Sequence, residues 1–275
     1  MKIGFLGAGN MATAIVRGAV EQGVVTGGDV LVFDTDAAKA GDLATSVGGS
    51  AASSAEELAG AVDVLVLAIK PQVFAAALPP LAGVIAARGT LVVSIAAGTP
   101  LAKIEGLLGA PAVPVVRVMP NVNAMVGAGM AAVTGNAAAT RAHVQTVLDL
   151  FDAVGTAIEL PEQQFATFTA IAGSAPAYAY LFIDALARGA LRAGMPKDQA
   201  TRIAAQTVLG SARMVLESDD APWVLIDKVC SPGGTTIAGL MALEDGGFVS
   251  TVVDGVQATI DRDAELAGPR DGGAR

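Results

Sequence analysis

The chain has 275 residues, 53% hydrophobic, only 4% aromatic and 16% charged, with a formal net charge of −9. That length can bury a sizeable core in one large or two modest domains, and the acidic balance, without any Lys/Arg cluster, argues against a nucleic-acid partner. One cysteine, Cys230, excludes an internal disulfide framework and fits a reducing cytoplasm, while one histidine, His143, supplies zinc clusters and serine–histidine hydrolases poorly.

The first 160 residues alternate short β-branched runs with helical patterns. Strands are predicted at residues 2–6, 30–33, 62–68, 90–95, 112–119, 129–134 and 155–160, with helices over 11–22 and 71–87 between the early ones. Near-continuous apolar strands alternating with helices predict a parallel sheet covered on both faces, a doubly wound α/β domain. "AATRAHVQTVLDLF" reads as an amphipathic helix with His143 on its surface.

After Pro161 the pattern becomes helical. No strand is predicted in residues 162–217, and residues 165–194 are apolar nearly all the way round. A second long helix starts at Pro196 with Asp198 in its first turn, and further helices fit 235–243 and 247–266. A helix without a polar face needs burial on all sides, which so small a lobe cannot supply alone, so another subunit is inferred. The expected division is a nucleotide-binding domain over 1–160, a helical substrate-binding and dimerisation domain over 161–268, and a frayed tail over 269–275. The mean hydropathy of +0.57 invites a membrane reading. Asp63, Lys70 and Arg88 break the richest runs short of the roughly 18 residues of a span, and no signal-peptide core precedes Gly7 and Gly9, so no membrane is expected.

"GFLGAGNMA" supplies Gly7-x-Gly9-x-x-Ala12, directly after a predicted strand and opening a helix. Gly7 permits the tight turn, Gly9 leaves room for a pyrophosphate, and small Ala12 lets helix and strand pack closely. The amides of Ala8, Gly9, Asn10 and Met11 are then expected to face the phosphates from a helix N-terminus, which makes the domain Rossmann-type. Asp34 ends the second strand, where a carboxylate accepts from ribose hydroxyls and repels a 2′-phosphate; alternatively Asp34 or Asp36 caps the helix starting near Ala37. No arginine stands beside Asp34. The expected cofactor is therefore NADH or NADPH, with the lean towards NADH. Later strand ends carry "AIKPQ", "SIAAG" and "RVMPN", and in an open α/β sheet a ligand lies beyond such ends. Taken singly, Lys70 also reads as a solvated lysine and Pro71 as a helix-starting residue.

"DKVCSPGGTTIAGL" is a second glycine turn opening a helix. Ser231 and Pro232 set a turn, Gly233 and Gly234 let backbone amides converge, and Thr235 and Thr236 begin the helix, so a carboxylate could be held without a lysine or arginine. An ordinary helix start with a threonine cap is the alternative. Together with "IGFLGAGNMA", "GSAPAYAYLFIDALA" and "LEDGGF", these stretches resemble the pyrroline-5-carboxylate reductase family along nearly the whole chain. The resemblance implies an all-α C-terminal domain that interlocks two subunits, a homodimer often assembled into decamers, and a cytoplasmic enzyme of proline synthesis. It also implies hydride transfer from NAD(P)H to the carbon–nitrogen double bond of 1-pyrroline-5-carboxylate. In that frame Ser231, Gly233, Gly234, Thr235 and Thr236 hold the substrate carboxylate, Thr236 is the catalytic residue at the ring nitrogen, and Glu162 lies near the substrate. Ala68, Ile69, Lys70, Pro71, Ala96 and Ala97 line the cofactor, with Met119, Pro120 and Asn121 close to the nicotinamide.

The chain departs from the family's usual pattern at Val122–Asn123, Ala175, Ala221 and Ala55, which bears on substrate scope and cofactor preference. A broader imine reductase is the nearest alternative, and a catalytically silent nucleotide-binding regulator a more distant one. A β-hydroxyacid dehydrogenase needs a lysine on the first interdomain helix, and residues 173–187 contain none.

Overall fold

A computed structural model describes residues 1–109 and 113–266. In chain order it contains β1 (Ile3–Leu6), α1 (Asn10–Glu21), β2 (Val30–Phe33), α2 (Ala37–Ser46), β3 (Ser50–Ala51), α3 (Ala55–Ala61), β4 (Val64–Leu67), α4 (Phe74–Ala77), α5 (Ala82–Arg88), β5 (Leu91–Ser94) and α6 (Leu101–Leu108). There follow β6 (Val115–Met119), β7 (Gly129–Gly135), α7 (Arg141–Asp152), β8 (Gly155–Glu159), α8 (Phe165–Phe168), α9 (Ala175–Arg192), α10 (Lys197–Glu217), α11 (Pro222–Val229), α12 (Thr235–Asp245) and α13 (Phe248–Leu266). Ala112, the predicted start of β6, and the predicted tail over 269–275 lie outside the described residues.

The strands form one sheet in the order β3-β2-β1-β4-β5-β6-β7-β8. Side chains alternate across it, as the strand pleat requires. Ile3, Phe5, Val64 and Val66 join a core with Ile15, Leu43 and Phe151 on one face. Leu6, Leu65 and Leu67 meet Leu58, Phe74, Ile85 and Ile104 on the other. Burial of both faces explains why β1, β4 and β5 read as unbroken apolar runs rather than as alternating ones.

Three local features depart from the sequence reading. β7 pairs antiparallel with β6, because the connection through the 3-10 turn Val122–Val126 is too short for a crossover. The helix predicted over 71–87 is divided into α4 and α5, since Pro79 and Pro80 have no N–H to continue it. The two-residue edge strand β3 carried no periodic signal to be read. Asp36, not Asp34, caps α2 by accepting from the Lys39 amide. His143 is half-buried at the third position of α7, where it completes a capping box with Thr140.

The chain forms two compact units, Met1–Gly173 with the end of α13 from Ile260, and Ser174–Thr259. The first residues after Pro161 pack on the sheet: Phe165, Phe168 and Ala172 are buried against Ala132 of β7. In the second unit, the tilted rings of Phe182 and Phe248 pack with centroids 5.8 Å apart, and the Tyr178 hydroxyl bonds that of Thr259, fastening α9 to α13. α9 buries only Pro176 and Ala187 along its length. Leu181 is 70% and Leu216 84% exposed, so the single chain leaves open the apolar surface that the sequence assigned to another subunit.

The expectation that no apolar stretch reaches the length of a membrane span needs correction. The helical stretch Glu162–Arg192 is long and apolar enough to cross a membrane, as are α12 and α13 counted together across a 50° bend. The π-helical segment Thr169–Ser174 joins α8 to α9 within that stretch. A helix enclosed between subunits carries the same composition.

Candidate active site

The glycine turn after β1 is built as a phosphate cradle. Gly7 has φ +109°, and a Cβ there would meet the Ala68 carbonyl oxygen at 2.7 Å, so β1 and β4 can pair this closely only around a glycine. Gly9 caps α1 in an extended conformation without a side-chain cap, and a Cβ on it would meet no atom within 4 Å. An uncapped helix N-terminus opening on free space fits a diphosphate. One expectation changes here. The Ala8 amide is not free, since it donates to Asp34 Oδ2 at 2.8 Å; Gly9, Asn10 and Met11 remain to face an anion.

Two adjoining recesses run from this turn across the carboxyl ends of the strands. One, of about 410 Å³, is lined by Gly7, Gly9, Asp34, Thr35, Glu56 and an apolar wall from Val73 to Leu81. The other, of about 470 Å³, is lined by Asn10, Met11, Pro71, Ala96, Ala97, Met119 and Pro120, with Val122 and Met125 beside them. Gly9, Ala68, Ile69 and Lys70 line both and join them. The cleft thus opens where the strand order reverses between β1 and β4, the place at which such sheets bind nucleotides. Its shape and its glycine cradle fit a dinucleotide. Asp34 is held in place there, with Oδ1 accepting from the Asp36 amide at 2.9 Å.

Asn121 is brought to the cleft's edge but turned to another task. It is buried, its Oδ1 accepts from the Met130 amide at 3.1 Å, and its Nδ2 donates to the Ala172 carbonyl at 3.0 Å. Pro176, four residues on, has no N–H to offer that carbonyl, and the Asn121 amide supplies it with a donor. Asn121 itself lines neither recess, while Met119 and Pro120 beside it do line the cleft.

Glu162 is likewise occupied. Its Oε1 accepts from the Leu101 amide and from Arg117 Nη1, both at 2.8 Å. Leu101 opens α6 behind Pro100, which offers no side-chain cap, so the glutamate caps that helix from a distant part of the sequence. Arg117 is only 8% exposed, its guanidinium lies 4.6 Å over the Phe165 ring, and its Nε has no hydrogen-bond partner among the described residues. Sequence reasoning missed this latch because no local spacing links residues 101, 117 and 162.

The second glycine turn lies in the Ser174–Thr259 unit. Gly233 adopts φ +69°, and the Gly234 amide donates to the Ser231 carbonyl at 3.0 Å. Gly234 caps α12 with no side-chain hydrogen bond, so the threonine cap weighed from the sequence is not formed. Thr235 and Thr236 occupy the first two helical positions and are exposed in the single chain. Among the described residues no group of three His, Cys, Asp or Glu could hold a metal ion.

Comparison with known proteins gives two family matches: "Pyrroline-5-carboxylate reductase dimerisation" over residues 162–266 and "NADP oxidoreductase coenzyme F420-dependent" over residues 2–98. The pyrroline-5-carboxylate reductase of Escherichia coli (strain K12) is 39% identical over 266 residues, covering 97% of this chain and 98% of its own. That of Arabidopsis thaliana is 38% identical, covering 97% and 95%. Among solved structures, a pyrroline-5-carboxylate reductase from Coxiella burnetii superposes with a TM-score of 0.92 at 32% identity, covering 98% of this chain and 99% of that one. The Plasmodium falciparum pyrroline carboxylate reductase with NADP bound gives 0.85 at 29% identity, covering 98% of each.

Proposed function

The chain belongs to the pyrroline-5-carboxylate reductase family, and from that premise we propose that it reduces the carbon–nitrogen double bond of 1-pyrroline-5-carboxylate with NAD(P)H, yielding L-proline. The observation that carries this reading is the presence in one chain of two helix N-termini without side-chain caps, each behind a glycine turn. One suits a diphosphate and the other a carboxylate. In this reading residues 1–160 bind the nucleotide, residues 161–268 bind substrate and pair subunits, and the enzyme works in the cytoplasm as a homodimer or a decamer of such dimers.

When bound, the dihydronicotinamide supplies the hydride. An imine accepts hydride most readily with its nitrogen protonated, so the chain needs no strongly basic group, only alignment, proton access and a dry site. The amides of Gly9, Asn10 and Met11 hold the diphosphate, with Lys70 beside it, and Asp34 holds the adenosine ribose. Ala68, Ile69, Pro71, Ala96 and Ala97 flank the cofactor and exclude water. Ser231 and the amides around Gly233, Gly234 and Thr235 take the substrate carboxylate. The Thr236 hydroxyl hydrogen-bonds the imine nitrogen and serves its protonation.

Thr236→Ala is expected to lower kcat by about 100-fold, the lower range for losing a positioned proton donor, whereas Ser231→Ala should chiefly raise KM for the imine. Steady-state kinetics on pyrroline-5-carboxylate separates the two, and an unchanged kcat in Thr236→Ala removes that hydroxyl from the reaction. Equal turnover of a cyclic imine lacking the carboxylate would favour the broader imine reductase instead. Asp34 favours NADH over NADPH, so the KM for NADH should be the lower of the two. A large preference for NADPH overturns that choice.

A further inference from the structure

Two carboxylates, Asp34 and Glu56, line the first recess, and Asp36 and Glu57 follow them closely in the chain; three of the four are committed. Asp34 accepts from the Ala8 and Asp36 amides. Asp36 caps α2 and pairs with Lys39 at 3.3 Å, and the Lys39 amide and ammonium hold its carboxyl below the usual range. Glu57 folds back onto the Ser53 hydroxyl and amide, which hold its carboxyl low as well. Its neighbour Glu56 is exposed in the first turn of α3 and has no hydrogen-bond or ion-pair partner among the described residues. It lines the same recess as Asp34 and Thr35, facing the apolar wall of Val73, Ala76, Ala77 and Pro80. Lys70 also lines this recess, but it lines the second one too and so stands where the two join.

We propose that Glu56 is a specificity-determining residue: with Asp34 it walls the adenosine end with two carboxylates that admit a free 2′-hydroxyl and turn away a 2′-phosphate. This rests on the dinucleotide reading of the cleft and goes beyond Asp34 alone. A 2′-phosphate carries close to two negative charges, so a second carboxylate adds repulsion that a ribose hydroxyl never meets. Glu57 cannot take this part, because its carboxylate is turned onto Ser53.

The test measures binding without turnover, by calorimetry of 5′-AMP and 2′,5′-ADP on the full-length chain and its Glu56→Gln and Glu56→Lys variants. Glu56→Lys should tighten 2′,5′-ADP by about tenfold, with Glu56→Gln between it and the wild type, and the gain should shrink as salt screens the exposed charge. Binding of 5′-AMP should stay within about twofold, since it meets no such repulsion. If the wild type binds NADH while neither variant moves the 2′,5′-ADP to 5′-AMP ratio, Glu56 has no such role and the cleft assignment survives. If the wild type binds neither NADH nor 5′-AMP, the dinucleotide reading fails and this inference falls with it.

Discussion

Replacing Glu162 by alanine is expected to destabilise the protein by about 3 kcal/mol, in the range for removing one partner of a buried ion pair. Two groups lose their acceptor at once: the Leu101 amide that opens α6, and Arg117 Nη1. Arg117 is the decisive one. Its side chain is 10% exposed and its Nε already lacks a partner among the described residues, so the cut leaves a largely desolvated charge over the Phe165 ring. At constant protein concentration the melting temperature should fall by roughly 6–10 °C. Glu162→Gln keeps an acceptor for the amide and should recover part of the loss. Combining Glu162→Ala with Arg117→Met should also be milder than Glu162→Ala alone, because the buried charge goes with its partner. A double variant as unstable as the sum of its parts would show that the pair does not act as a unit.

This latch marks the limit of what the sequence discloses. The sheet was legible because Val64–Leu67 and Leu91–Ser94 must be apolar on both faces, and a run of that kind cannot sit at a surface. The turn at Gly7 and Gly9 was legible because its tight geometry after β1 imposes residue types at fixed spacing. Tertiary partnerships impose no spacing. That Asn121 donates to the Ala172 carbonyl and accepts from the Met130 amide could be read from no spacing. Ala8 reads as a phosphate ligand until Asp34 folds onto its amide. The reversal of β7 depended on a short connection whose 3-10 geometry no periodicity announces. Glu57 stands three residues after Ser54, at capping-box spacing, but only the fold shows its carboxylate turned onto Ser53 and Glu56 left at the cleft.

The two glycines of the first turn should fail in opposite ways. At Gly7 a side chain meets backbone: its Cβ would stand 2.7 Å from the Ala68 carbonyl oxygen, at a φ of +109° that other residues rarely adopt. Neither the carbonyl nor the strand pairing can yield cheaply, so Gly7→Ala should cost about 1–3 kcal/mol of stability whether or not a nucleotide is present. At Gly9 the backbone is extended and the space around a Cβ is open, so Gly9→Val should melt in the apo state like the wild type. Its branched side chain would nevertheless stand in front of the uncapped α1 N-terminus, where the diphosphate needs close backbone approach. NADH affinity should fall by about 100-fold, equivalent to about 3 kcal/mol. NADH fluorescence titration reads the affinity, and the loss of the cofactor-induced rise in melting temperature reads it a second way. Should Gly9→Val bind NADH as tightly as the wild type, no diphosphate crosses this turn, and the cleft between β1 and β4 is not where the reducing cofactor lies.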